Sequence, residues 1–186
     1  MQPVTPGATH YDRRTIAFHW ATAGLVVLQF VVAWTIDDFP SGPLRVDARS
    51  VHITVGALIA TLLVARIVWR ATSGRRLPAQ DHGALHVVAK GTHWGLYLVL
   101  LAMVTLGLLL AWVRGDSIYN LFSIPSFAPG DRALENQIQD LHATVGWIII
   151  ALAGLHAVAA LVHQYVWKDG LITRMLREPH GAAGQD

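Results

Sequence analysis

Four stretches of the chain are apolar almost without interruption, at 15–36, 51–69, 92–113 and 141–165, and the polar residues collect in the segments between them. A membrane-crossing helix needs about 20 consecutive mostly apolar residues, so each stretch has the length of a span. In hydrocarbon the backbone must satisfy its own hydrogen bonds, which predicts helices for all four. The connections are short, so consecutive helices should lie antiparallel. The expectation is an all-α membrane protein, an up-down four-helix transmembrane bundle. The spans occupy nearly half of the chain and leave no room for a second globular domain; no repeat of 20 to 50 residues and no low-complexity tract appears. The domain reading is therefore an N-terminal segment at 1–14, the four-helix domain at 15–169 and a tail at 170–186.

Composition agrees with this pattern. Hydrophobic residues make up 53% of the 186, and the mean hydropathy is +0.42. Only 14% are charged, against roughly 25% in ordinary soluble domains. Charge placement sets an expected orientation. Arg13, Arg14, Arg70, Arg75, Arg76, Lys90, Lys168, Arg174 and Arg177 flank one end of the predicted bundle, with Arg66 inside the second span near that end. The other end holds Arg45, Arg49, Arg114 and Arg132 beside seven acids: Asp37, Asp38, Asp47, Asp116, Asp131, Glu135 and Asp140. By the positive-inside rule both termini are expected in the cytoplasm of a multi-pass protein of the cell inner membrane. The first apolar run is too long for a signal peptide and lacks a clear small-residue cleavage site, so it reads as a retained span. The basic pI of about 9.3 then reflects a cytoplasmic collar facing the lipid bilayer, and no nucleic-acid partner is implied.

The candidate chemistry lies in the histidines. Cysteine is absent, which removes thiolate metal sites, iron–sulfur clusters and covalent c-type haem attachment. No Asp or Glu falls within the four apolar stretches, so a carboxylate-bridged di-iron site lacks its ligands. Six histidines do lie in or at the ends of those stretches: His19, His52, His93, His142, His156 and His163. Ionisable groups at such depth mark function by default, although a lone membrane histidine can also simply bond a neighbouring helix.

Five of the six form two layers, and His163 lies a further seven residues along the stripe of His156. VHITVG at 51–56 and LHATVG at 141–146 repeat His-x-Thr-Val-Gly, which places His52 and His142 at matching depth near the acidic end. His19, His93 and His156 form the other layer. His142 and His156 are fourteen residues apart, about 21 Å along a helix and within about 40° of one face, so they serve two separate centres. Gly56 and Gly146 follow the repeated histidines by four residues, where a missing side chain lets a flat macrocycle approach the backbone. Paired histidines on facing helices suit low-spin haem b, an electron carrier without an open coordination position. His52 with His142 is the expected pair in one layer. In the other, His19 and His93 remain alternatives opposite His156. A histidine-only copper or zinc transporter would not explain two layers half a membrane apart.

YDRRTIAFHW at 11–20, VHITVG, LHATVG and above all LHAVAALVHQYVWKD at 155–169 resemble the bacterial cytochrome b561 family, in particular its superoxide oxidase members. The resemblance runs from about 11 to 177. It implies two haems b, with His19 and His156 holding the cytoplasmic one and His52 and His142 the periplasmic one, and transfer of electrons from periplasmic superoxide to ubiquinone. The expected quinone pocket comprises His93, His163, Trp167 and Lys168 at the cytoplasmic end of the third and fourth spans. Four basic against seven acidic residues at the outer end argue against long-range steering of an anionic donor. Arg45 and Arg49 could focus superoxide locally, or pair with Asp47 or a haem propionate. Two further functions stay open: a di-haem membrane anchor passing electrons from a docked dehydrogenase or hydrogenase to quinone, in which a protein is the electron donor, and a bundle without cofactor.

Overall fold

A computed structural model describes residues 8–80 and 82–176. The outer parts of the N-terminal segment and of the tail, with Arg177, lie outside the described residues. Four long helices carry the fold: α1 (Arg13–Thr35), α2 (Pro43–Thr72), α3 (Gly83–Arg114) and α4 (Arg132–Leu161). All four are long and apolar enough to cross a membrane. Each begins or ends beyond its apolar stretch. α2 starts at Pro43 and α4 at Arg132, so the two His-x-Thr-Val-Gly copies do not open helices but sit nearly three turns inside them. Pro at the first position of α2 and the side chain of Asp131 at the cap of α4, accepting from the Leu134 N–H at 3.0 Å, set these earlier starts.

α1 packs on α2, α2 on α3 and α3 on α4, as short antiparallel connections require. α4 approaches the backbones of α1 and α2 much less closely. The buried apolar side chains are few, among them Val55, Ile59, Leu63 and Ile149, while large ones such as Trp34, Trp94, Trp147 and Leu155 are exposed around the outside. Lipid, not a soluble-type core, covers that surface.

One end of the bundle gathers both described chain ends. The Tyr11 N–H donates to the Arg174 carbonyl at 3.0 Å, Trp20 Nε1 to the Met175 carbonyl at 2.8 Å, and Arg174 Nη2 to the Pro78 carbonyl at 2.6 Å. Asp12 is the hub there. Its carboxylate caps α1 through the Thr15 N–H (2.9 Å) and hydroxyl (2.7 Å), and also accepts from Trp69 Nε1 (3.0 Å) and the Arg75 N–H (2.9 Å) on the far side of α2. Burial raises the pKa of Asp12, but these four donors outweigh it and leave the group below its ordinary 3.8. A carboxylate depressed in the folded state contributes stability above its unfolded pKa and loses it as pH falls through the folded one. Asp12→Ala should therefore destabilise the protein by about 1–2 kcal/mol, the usual size for a lost N-cap. Thermal melts in detergent should show the gap between variant and wild type at neutral pH and narrow it at pH values below 3.8. An equal gap at all pH values would mean that lost packing, not the anion, causes the effect.

The opposite end is closed by a short hairpin, β1 (Ser117–Ile118) and β2 (Phe122–Ser123), laid along the first turns of α2. Tyr119 and Asn120 take left-handed backbone angles at its turn. Ser50, fully buried, accepts from the Tyr119 N–H at 2.8 Å, and the Tyr119 hydroxyl lies 3.0 Å from that of Thr54. The arginines here are already engaged. Arg49 Nη1 pairs with Asp116 at 3.1 Å and Arg114 Nη1 with its other oxygen at 3.8 Å, while Arg45 donates to the Phe39 and Asp37 carbonyls. The expected pairing of Arg45 or Arg49 with Asp47 does not form. Asp47 accepts from Asn120 Nδ2 at 2.7 Å, because the hairpin reaches it first. Burial raises the Asp116 carboxyl above its ordinary 3.8, outweighing the two guanidinium groups.

Candidate functional site

The histidines of the spans meet across the gap that separates α4 from α1 and α2. His52 comes from the third turn of α2 and His142 from the matching turn of α4. Their ring centroids lie 6.2 Å apart with the planes at 71°. Towards the other end His19 of α1 faces His156 of α4, again at 6.2 Å, with the planes at 68°. Both pairs thus join helices whose backbones stand apart. His93 of α3 also approaches His156, more closely, at 5.3 Å. Three histidines share the second layer, so His156 has two neighbours where His142 has one.

The surroundings of the two layers differ. Beside His52, Gln29 Nε2 donates to its carbonyl at 2.9 Å and stands over Gly56, where a Cβ would be 3.4 Å from that nitrogen. Gly146 is buried against Met103 and Phe30. Gly107 of α3 was not singled out in the sequence, yet it faces the His142 ring: a Cβ there would come within 3.2 Å of Cε1. The Nδ1 atoms of His52 and His142 are buried, and the two rings interact with the backbone of Gln29 and Met103 respectively. In the other layer the dominant feature is Arg66. Its Nη2 is 3.5 Å from His19 Nδ1 and its guanidinium lies 5.2 Å from the centre of the Tyr97 ring, while its Nε is buried and unpaired. Sequence reading noted Arg66 as an in-span cation but gave it no task. Its proximity to His19 depends on how α1 and α2 pack, which spacing along α2 does not reveal.

The remaining candidates lie at the end of α4. The chain there widens into a π-helical turn, Val162–Trp167, and leaves it through Lys168 in a left-handed conformation. A π-turn shifts the phase that an α-helix would keep. His163 becomes buried, 7% exposed, with the Trp167 ring edge-on at a centroid distance of 4.4 Å. Lys168 points outward and is exposed. Of the four residues expected around a quinone, His163 and Trp167 touch each other, whereas the ring contact of His93 is with His156. Asp169, which sequence reading did not single out, places Oδ2 2.5 Å from His163 Nδ1.

Apolar helices with paired histidines across a gap are one observation; the sequence relatives are another. A family model described as prokaryotic cytochrome b561 matches residues 10–178. The chain belongs to this family. Among curated relatives, cytochrome b562 of Cereibacter sphaeroides is 32% identical over 172 residues, 90% of this chain and 95% of that protein. Cytochrome b561 homolog 2 of Escherichia coli is 28% identical over 170 residues, covering 89% and 90%. A probable superoxide oxidase of Yersinia pestis is 26% identical over 178 residues, covering 92% and 98%. The protein is therefore a multi-pass membrane protein of cytochrome b561 type, an oxidoreductase-class electron carrier that binds haem b.

The cytochrome b561 chemistry can be tested against the histidine geometry. Two imidazoles on one metal need about 2.0 Å per metal–nitrogen bond and about 1.1 Å from each nitrogen to its ring centre, or about 6.3 Å between centroids when the bonds are collinear. The 6.2 Å of each α4 pair agrees with that requirement, and the 5.3 Å between His93 and His156 falls short of it. The residues present fit haem b.

Proposed function

We propose that the protein carries electrons across the inner membrane between two haems b, oxidising superoxide at the periplasmic end and reducing ubiquinone at the cytoplasmic end. The observation that carries this reading is the equality of the two histidine separations, 6.2 Å in each layer, on one long helix. In it, His52 and His142 hold one haem and His19 and His156 the other; bound in this way, each haem supplies reversible one-electron chemistry. The basic end, where both described chain ends meet, is taken as cytoplasmic. The balance is two superoxide giving two oxygen and two electrons, and one ubiquinone taking those two electrons and two protons.

The chain's own residues have definite work in this scheme. Four imidazoles fix two centres fourteen residues apart on α4, so charge crosses most of the bilayer inside the bundle. Gly107 keeps bulk away from the His142 ring, while Gly56 and Gly146 sit against Gln29 and against Met103 and Phe30. Arg66 is a cation in a membrane span with no carboxylate in salt-bridge range among the described residues, and such a charge needs a counter-ion. A haem propionate has the matching chemistry. His93, His163, Trp167 and Lys168 form the proposed quinone region, where Trp167 offers an aromatic surface and His163 a hydrogen bond to a quinone carbonyl. The superoxide donor rests on the named relative of Yersinia pestis. Since Arg49 and Arg114 are engaged with Asp116, strong local steering of the anion is not part of the proposal.

The decisive test is a visible spectrum of the purified protein before and after rapid anaerobic mixing with superoxide. The reduced b-type bands should appear at once. Reduction only after a dehydrogenase or hydrogenase complex is added would favour the anchor function, and a protein without haem absorbance would refute both.

A further inference from the structure

The π-helical turn at the end of α4 reverses the chain so tightly that Asp169 comes back beside His163. The Asp169 N–H donates to the His163 carbonyl at 3.2 Å, and its Oδ2 meets His163 Nδ1 at 2.5 Å. The carboxylate is itself held: Oδ1 accepts from the Leu171 N–H at 3.0 Å, and the Asp169 carbonyl accepts from Gln80 Nε2 at 3.1 Å. One side of Asp169 thus faces a buried imidazole. Asp169 also lines an open cavity of about 330 Å3 of mixed polar and apolar character at the basic end, shared with Thr9, His10, Gln80 and Arg174. A simple helix terminus needs none of this, since backbone carbonyls and a left-handed residue suffice to stop a helix.

We propose that Asp169 is the positioning residue for proton delivery to quinone: it holds His163 through Nδ1 and stabilises the imidazolium, so that Nε2 gives its proton to a quinone carbonyl oxygen. The inference rests on the quinone reading above and deepens it. A carboxylate on one ring nitrogen fixes which nitrogen carries the transferable proton, and it offsets the positive charge that the ring must hold before it acts as an acid. In a reduced protein carrying two electrons, one ubiquinone accepts both and two protons. His163 supplies one of the protons from Nε2, leaving a neutral imidazole whose Nδ1–H stays on Asp169. The aqueous phase supplies the second as a solvated proton, and a further solvated proton, entering by the cavity that Asp169 lines, recharges His163 after quinol leaves.

The experiment uses haem-loaded protein, reduced with stoichiometric dithionite and mixed with ubiquinone-1 in a stopped-flow instrument, so that no superoxide step intervenes. Asp169→Asn keeps the size and an acceptor oxygen but loses the charge. It should lower the limiting rate of haem reoxidation at least tenfold, with the half-saturating quinone concentration changed less than threefold. Asp169→Glu should recover most of the rate, and His163→Ala should be at least as slow as Asp169→Asn. Haem content and melting temperature, measured in parallel, should be unchanged in Asp169→Asn. Wild-type rates in Asp169→Asn, with His163→Ala slow, would overturn the role of Asp169 and leave the quinone region standing. Wild-type rates in both, or no reoxidation of the wild type by ubiquinone-1, would overturn the quinone region and this inference with it. Loss of rate only in step with lost haem would make the His163–Asp169 contact structural and also overturn the proposal.

Discussion

On the proposed two-haem ligation, His52→Ala or His142→Ala should leave one haem per chain, and His19→Ala or His156→Ala should do the same at the other centre. The reason is geometric. Each histidine of a pair lies on a different helix, and the backbones of those helices approach only sparsely, so removing one leaves a single imidazole and no nearby substitute in the His52 layer. Losing one of two strong axial donors should cost most of the affinity; even the loss of partners around a metal ligand typically costs about 10–100-fold. The measurement is a pyridine haemochrome assay with protein quantification, together with the split of the reduced b-band into its two components. The haem that remains serves as an internal control for folding. The second layer offers a sharper discrimination, because His156 has both His19 and His93 within reach. Full haem in His93→Ala, with slow quinone reduction, fits the proposed assignment. A haem lost in His93→Ala and kept in His19→Ala would exchange the two roles.

Removing the cytoplasmic haem should separate the two half-reactions. In His19→Ala the periplasmic haem should still be reduced by superoxide, while quinone reduction in steady state should fall at least about 100-fold, equivalent to about 2.7 kcal/mol of activation free energy. The separation follows from distance: the two histidine layers are fourteen residues apart on α4, about 21 Å at the rise of an α-helix, too far for quinone at one end to take electrons readily from the other. The reciprocal variant supplies the check. In His52→Ala, added ubiquinol should reduce the remaining haem, whereas superoxide should no longer do so. Undiminished quinone reduction in His19→Ala would reverse the proposed direction or move the quinone to the other end.

Much of this molecule is legible from the chain alone, for a physical reason. Hydrocarbon enforces one rule on every residue of a span, so four apolar stretches of sufficient length announce four helices without reference to any partner. Repetition was equally informative. His52 and His142 stand in the same five-residue pattern, and a pattern shared by two helices at similar depth survives translation into three dimensions. Helix starts were less legible: α2 and α4 reach back to Pro43 and Arg132 because polar and capping residues continue a helix beyond the hydrocarbon, where hydropathy has no signal.

What only the tertiary structure decided is which side chains meet between helices. The bundle sets His19 and His93 at different distances from His156, brings Arg66 of α2 against His19 of α1, and sets Gly107 of α3 against His142. None of these contacts is fixed by spacing along one helix, since each depends on the rotation of two helices about their axes. Likewise, the return of Asp169 to His163 needs a π-turn, and a shift of one residue in helical phase leaves no mark on a pattern read at the α-helical period. Sequence determined the helices, the layers and the repeated histidines, because those follow from local composition and the solvent. Packing between helices decided the partners.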